Sequence, residues 1–247
     1  MKRIFKWQFF LGLSLIVLSA FVYFIHYFIF RDAHHIFIYL IGDIAFVFIE
    51  VLLVTLVLHQ LLHHREKKAL LNKLNMVIGA FFSEVGEELL KTFSIFDKEA
   101  FKITHKLVIT NDLSEGEFLK IRKSIKNHLY QIDSKRGNLE QVKDFLKEKR
   151  QFLLNLLENP NLLEHESFTN LLWSVFHLTE ELIRRRKLSG LPEADYEHLS
   201  GDIKRVYHLL IAEWLNYMKH LKANYPYLFS LAMRTNPFDE KASVEVK

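Results

Sequence analysis

The sequence predicts an all-α protein: a two-helix transmembrane hairpin followed by a cytoplasmic multi-helix bundle. Three observations carry this expectation. Trp7 to Phe30 and Ile36 to Leu62 are apolar runs long enough, at about 1.5 Å per residue, to cross roughly 30 Å of hydrocarbon. Beyond them, apolar residues recur at three- and four-residue spacing through successive segments. The 247 residues include 22 Phe but only 8 Gly and 4 Pro, which leaves little material for turn-rich β architecture.

The first helix, about residues 7–30, follows the basic stretch Met1 to Lys6 and contains no formally charged residue. A cleaved signal peptide would have an apolar core of about 7–15 residues, whereas this run continues past Ser19 and Ala20, so an uncleaved membrane helix is expected. Trp7, Tyr23 and Tyr27 suit interfacial anchoring. Arg31 to His35 is too short for anything but a tight return, and the second helix, about residues 36–62, comes back beside the first. Lys2, Arg3 and Lys6 precede the hairpin and Arg65, Lys67 and Lys68 follow it, which places both termini in the cytoplasm by the positive-inside rule. The expected organisation is a hairpin over 1–64, a bundle over 65–237 and a flexible tail over 238–247.

After Arg65 the pattern turns amphipathic through Leu74, Ile78, Phe81, Phe82, Val85 and Leu89. No Pro separates this stretch from the second membrane helix, so the two can be one helix; a break at His63 to Lys68 is the simpler arrangement. A short helix is expected around Glu99 to Ile109, and Ser114 with Glu117 has capping-box spacing at the head of the next. That helix is read through Phe118, Ile121, Ile125, Leu129 and Ile132 as one stripe. Further helices are expected over Leu139 to Glu158, Phe168 to Lys187 and Tyr196 to Leu221, with a last turn at Tyr227 to Met233. Together they suffice to bury a core.

Asp43 and Glu50 carry the functional expectation. They lie seven residues apart, two turns on one side of the second apolar helix, where an ionised carboxylate costs about 2.5–3.5 kcal/mol on insertion scales. Two helices cannot enclose a pore, so a homo-oligomer would set these acids in rings along a shared axis, a path for a cation or proton that repels anions. The same acids, protonated and hydrogen-bonded across an interface, would merely hold the assembly together. The leading expectation is therefore an ion channel or conductor with a regulatory cytoplasmic bundle. The competing one is a non-conducting membrane scaffold or sensor that binds a cytoplasmic protein partner.

His59 and His63, one turn apart and followed by Glu66, are a candidate proton- or metal-sensing group; His34 and His35 beside Asp32 are a second. Neither has the HExxH form of a zinc protease, and no metal or other cofactor is expected. The absence of cysteine removes thiolate sites and disulfides. Within the bundle no Glu-x-x-His pair of a di-iron centre occurs, and only Asp195 and His198 have that spacing, on a helix start read as exposed. His165, Glu166 and Thr169 resemble the core of a histidine-kinase phosphoacceptor helix, without its Pro or a nucleotide-binding domain downstream. Arg122 and His128 similarly match the pair spacing of HEPN-type ribonucleases. With no P-loop or nucleophile elbow either, no enzyme activity is expected. A formal charge of +4, from 33 Lys and Arg against 29 Asp and Glu, gives no reason to expect nucleic acid as a partner.

Overall fold

A computed structural model describes residues 2–160, 162 and 165–245, without the side chains of residues 2–8, 64 and 66–72. The helices are α1 (Lys2–Phe30), α2 (Ala33–Phe81), α3 (Glu87–Phe96), α4 (Phe101–Leu107), α5 (Glu115–Lys126), α6 (Leu139–Leu157), α7 (Glu166–Arg184), α8 (Glu193–Asn224) and α9 (Pro226–Arg234). Among the described residues the fold is all-helical, and the β-type pairing is a single isolated bridge between Asp97 and Ile132. Two units divide at Lys67 and Lys68, inside α2.

The first unit is α1 and the beginning of α2. Arg31 turns the chain with a positive φ of 49°, and Asp32 starts α2 by accepting a hydrogen bond from the His35 amide at 3.2 Å. The second helix therefore begins at Ala33, earlier than the pattern at Ile36 suggests, because Asp32 acts as a cap. Phe9–Phe30 and Ala33–His63 are long and apolar enough to cross a bilayer, and neither stretch is buried. Ring contact between the two helices comes from His26 and His35, with centroids 6.3 Å apart.

The second unit contains the core. No break appears at His63 to Lys68: α2 runs through to Phe81, then widens into a π-turn at Phe82–Gly86 before α3. Phe81 packs edge-on against Phe168 of α7 at 5.3 Å, while Phe82 stacks on Tyr217 of α8 at 5.4 Å. A Cβ at Gly86 would stand 2.5 Å from the Phe82 ring, so only glycine lets that ring lie there. The central helix is α8, which packs on α3, α5, α7 and α9 and buries Ile203, Tyr207, Leu210, Trp214 and Met218.

In the second unit, side-chain caps set the starts of three of the described helices. Ser114 and Glu117 form a reciprocal capping box on α5, Asn138 accepts from the Gln141 amide on α6, and His165 accepts from the Phe168 amide on α7. Two expectations need correction. The α5 stripe stops at Lys126; Leu129 is 78% exposed, and Ile132 belongs to the bridge because the chain there pairs its backbone with the end of α3. The segment beginning at 238 is not a loose tail at its start. Phe238 is buried against Trp214 at 5.2 Å, and the preceding Asn236 donates through Nδ2 to the Leu107 carbonyl at 2.8 Å.

Candidate functional site

Asp43 and Glu50 sit on α2 within the long apolar stretch, two turns apart. Both are exposed, and neither has a hydrogen-bond or ion-pair partner among the described residues. Tyr39 stands one turn before Asp43, and its ring leans on His35 with centroids 4.7 Å apart. The turn therefore gathers Asp32, His26, His35 and Tyr39, while His34 is exposed without joining a described contact. His59 and His63 stack with ring centroids 6.4 Å apart and are both exposed. The side chain of Glu66, their expected companion, lies outside the described residues. The structure thus brings His59 to His63 and His35 to His26.

In the second unit, His165 and His128, both singled out by sequence pattern, are taken up by the architecture. His165 caps α7 through Nδ1, which accepts from the Phe168 amide at 3.3 Å. His128 turns to Asp97 at 3.4 Å rather than to Arg122, which is exposed. Asp97 is a hub that sequence reading missed. Its Oδ1 accepts from the Glu99 and Gln131 amides at 3.0 and 3.1 Å, so one carboxylate joins the end of α3 to the segment after α5. Two backbone bonds of the antiparallel bridge, Lys98 amide to Gln131 carbonyl at 3.0 Å and Asp133 amide to Phe96 carbonyl at 2.9 Å, hold the same junction. Only the Asp-x-Glu turn spelling at Asp97 to Glu99 hints at this role, because the partner segment is over thirty residues away.

Burial pushes the Tyr130 and Tyr207 hydroxyls well above the usual phenol range, and the Asp97 charge pushes in the same direction. Burial also lowers the His208 imidazole. These groups favour neutral forms inside a packed core. Glu87 has a different setting: it lines a groove of about 440 Å³ with Gly79, Tyr217, Leu228 and Leu231, and burial raises its carboxyl above the ordinary value against the pull of Lys91.

Residues 70–234 match the family model described as Uncharacterized protein MJ1433, C-terminal helical domain, and residues 2–62 match MJ1433, N-terminal helical domain. The chain belongs to the MJ1433 family. A relative from Methanocaldococcus jannaschii, Uncharacterized protein MJ1433, is 48% identical over 239 residues, spanning 97% of this chain and 96% of the relative. No solved structure matches the chain. The two MJ1433 domain models leave a gap from residue 63 to 69, and the division of the structure at Lys67 and Lys68 falls inside it. Asp43 and Glu50 lie in the N-terminal MJ1433 domain, whereas Asp97 and Glu87 lie in the C-terminal one.

Proposed function

We propose that this chain is a multi-pass membrane protein with both termini cytoplasmic, and that copies of it assemble so that Asp43 and Glu50 line a cation or proton path. One observation supports the reading above the rest. Two acids face one side of a 31-residue apolar stretch, and neither has a partner among the described residues. Hydrocarbon would penalise each of them, so in a bilayer that face turns toward water or other protein. A homo-oligomer with α2 at its axis supplies both, with membrane lipid around α1 and the helical bundle as the cytoplasmic regulatory part. The basic residues on both flanks of the hairpin favour the same orientation.

A second reading is a non-conducting membrane scaffold or sensor whose bundle binds a cytoplasmic protein. Tyr39, one turn from Asp43 and 60% exposed, favours it, since a phenol beside a carboxyl can hydrogen-bond across a helix interface and close it without water. Purified protein in liposomes separates the two. Conduction gives cation or proton flux above empty vesicles, reduced in Glu50→Gln and Asp43→Asn. No flux at any pH overturns conduction, unchanged flux in both variants overturns the residue assignment, and a strict monomer in detergent overturns the shared path.

A further inference from the structure

The α7 and α8 helices pack side by side, and along one edge of their contact each offers two potential ligands a turn apart: His177 and Glu181 on α7, His198 and Asp202 on α8. Sequence reading set His198 against Asp195, three residues before it. The helix instead points His198 at Asp202, one turn later, while Asp195 is taken by the Arg185 guanidinium at 2.6 Å.

Asp202 is the informative residue. It is only 3% exposed, and its two oxygens have different fates. Oδ1 faces the Arg205 guanidinium at 3.1 Å, whereas Oδ2 is buried and receives no hydrogen bond among the described residues. Two imidazole nitrogens converge on that orphan oxygen: His177 Nε2 at 3.4 Å and His198 Nε2 at 3.3 Å. A buried carboxylate oxygen without a donor is costly, so its surroundings call for a cation or a proton.

We propose that His177, His198 and Asp202 bind a divalent transition-metal ion, with Zn²⁺ the best fit. The donor atoms of the three lie within 4.8 Å of one another. An ion with tetrahedral bonds of about 2.0–2.1 Å sets its ligand atoms about 3.3 Å apart, which is the spacing at which both imidazoles already stand from Oδ2. Two imidazoles and one carboxylate are a borderline-soft set that suits Zn²⁺ over Mg²⁺ or Ca²⁺. Arg205 orients the carboxylate by holding the oxygen the ion does not need, the role an outer-shell partner plays in metal sites. Glu181 Oε2 stands 3.6 Å from His198 Nε2 but is held by Arg185 at 2.6 Å, which keeps it outside the first ring of ligands. Around the site Glu181, Asp195 and Asp202 face Arg185 and Arg205, three negative groups to two positive, so a cation enters a net negative setting. The side chains of His177 and His198 are 47% and 51% exposed, which leaves the fourth position to solvent.

The rival explanation is that protonated imidazoles simply pair with Asp202. Full-length protein in detergent, stripped with chelator, separates the two when titrated with Co²⁺ followed by visible absorbance and with Zn²⁺ followed by calorimetry. Because the chain has 13 histidines, His59→Gln/His63→Gln is the reference for binding elsewhere. Metal binding at this site gives one tetrahedral Co²⁺ spectrum per chain, retained in that reference. It is lost in His177→Gln/His198→Gln, with Zn²⁺ affinity lowered at least about 100-fold, the upper end of what a lost outer-shell partner costs. His177→Gln alone removes only a half-exposed ring, and lowered Zn²⁺ affinity is expected in it with the fold intact. No tetrahedral spectrum in the wild-type protein, or one unchanged in the double variant, overturns the proposal. The result is independent of ion flux through the membrane helices.

Discussion

Phe48 leaves 75% of its surface exposed, and Phe93 leaves none. The same contrast runs through the two units. The first displays Phe, Ile, Leu and Val all round its helices, whereas the second folds those residues into a continuous core around α8. Carboxylates differ in the same way: Asp97 is buried and accepts from amides of its own chain, while Asp43 and Glu50 are exposed with no hydrogen-bond or ion-pair partner among the described residues. A helix that is hydrophobic all round needs an apolar surrounding, and one with a single apolar stripe needs another helix. The second unit satisfies its requirement internally. The first must meet its requirement outside the chain, and the proposed bilayer and neighbouring copies would do so.

Substitutions can break this comparison. The largest effect is expected at Trp214, 1% exposed and packed on Phe238, where Trp214→Ala should lower the stability of the second unit by about 3–5 kcal/mol in denaturant melts. Phe48→Ala in the same assay should leave that transition unmoved; a matching loss would mean that the exposed face of α2 belongs to the core after all. Smaller effects follow at the glycines. A Cβ at Gly137 would lie 2.4 Å from the ring of fully buried Phe96, so Gly137→Ala should cost about 1–3 kcal/mol through overpacking. Gly42 has nothing within 4 Å, and Gly42→Ala should leave the transition in place.

The smallest expected effect concerns charge. Burial raises the Glu87 carboxyl above its ordinary 4.5, so the folded state binds this proton more tightly than the unfolded chain does. The associated stability is complete below the unfolded value and is lost as pH rises through the raised folded one. Glu87→Gln should therefore melt higher than wild type at neutral pH, with the gap closing as pH falls toward 4.5. A gap that is constant with pH would show that the carboxylate is stabilised by contacts rather than penalised by burial.

Much of this architecture was legible. The capping box at Ser114 and Glu117 is a local pattern of four residues and could be read directly. Leu129 misled because helical spacing continues in the letters after the helix has stopped; the competing backbone bridge at Asp97 and Ile132 involves residues far apart in sequence. Phe238 looked like part of a tail because the cleft beside Trp214 exists only once α8 has packed.

By itself the sequence determined the all-helical class, the two long apolar helices and the paired acids Asp43 and Glu50, since periodicity and run length are properties of neighbouring residues. Only the tertiary structure decided that α2 runs on to Phe81, that Asp97 joins two distant segments, and that His177 meets His198 across Asp202. Those arrangements depend on which helices pack against each other, and burial of shared apolar faces sets that choice without leaving a short-range mark in the order of residues.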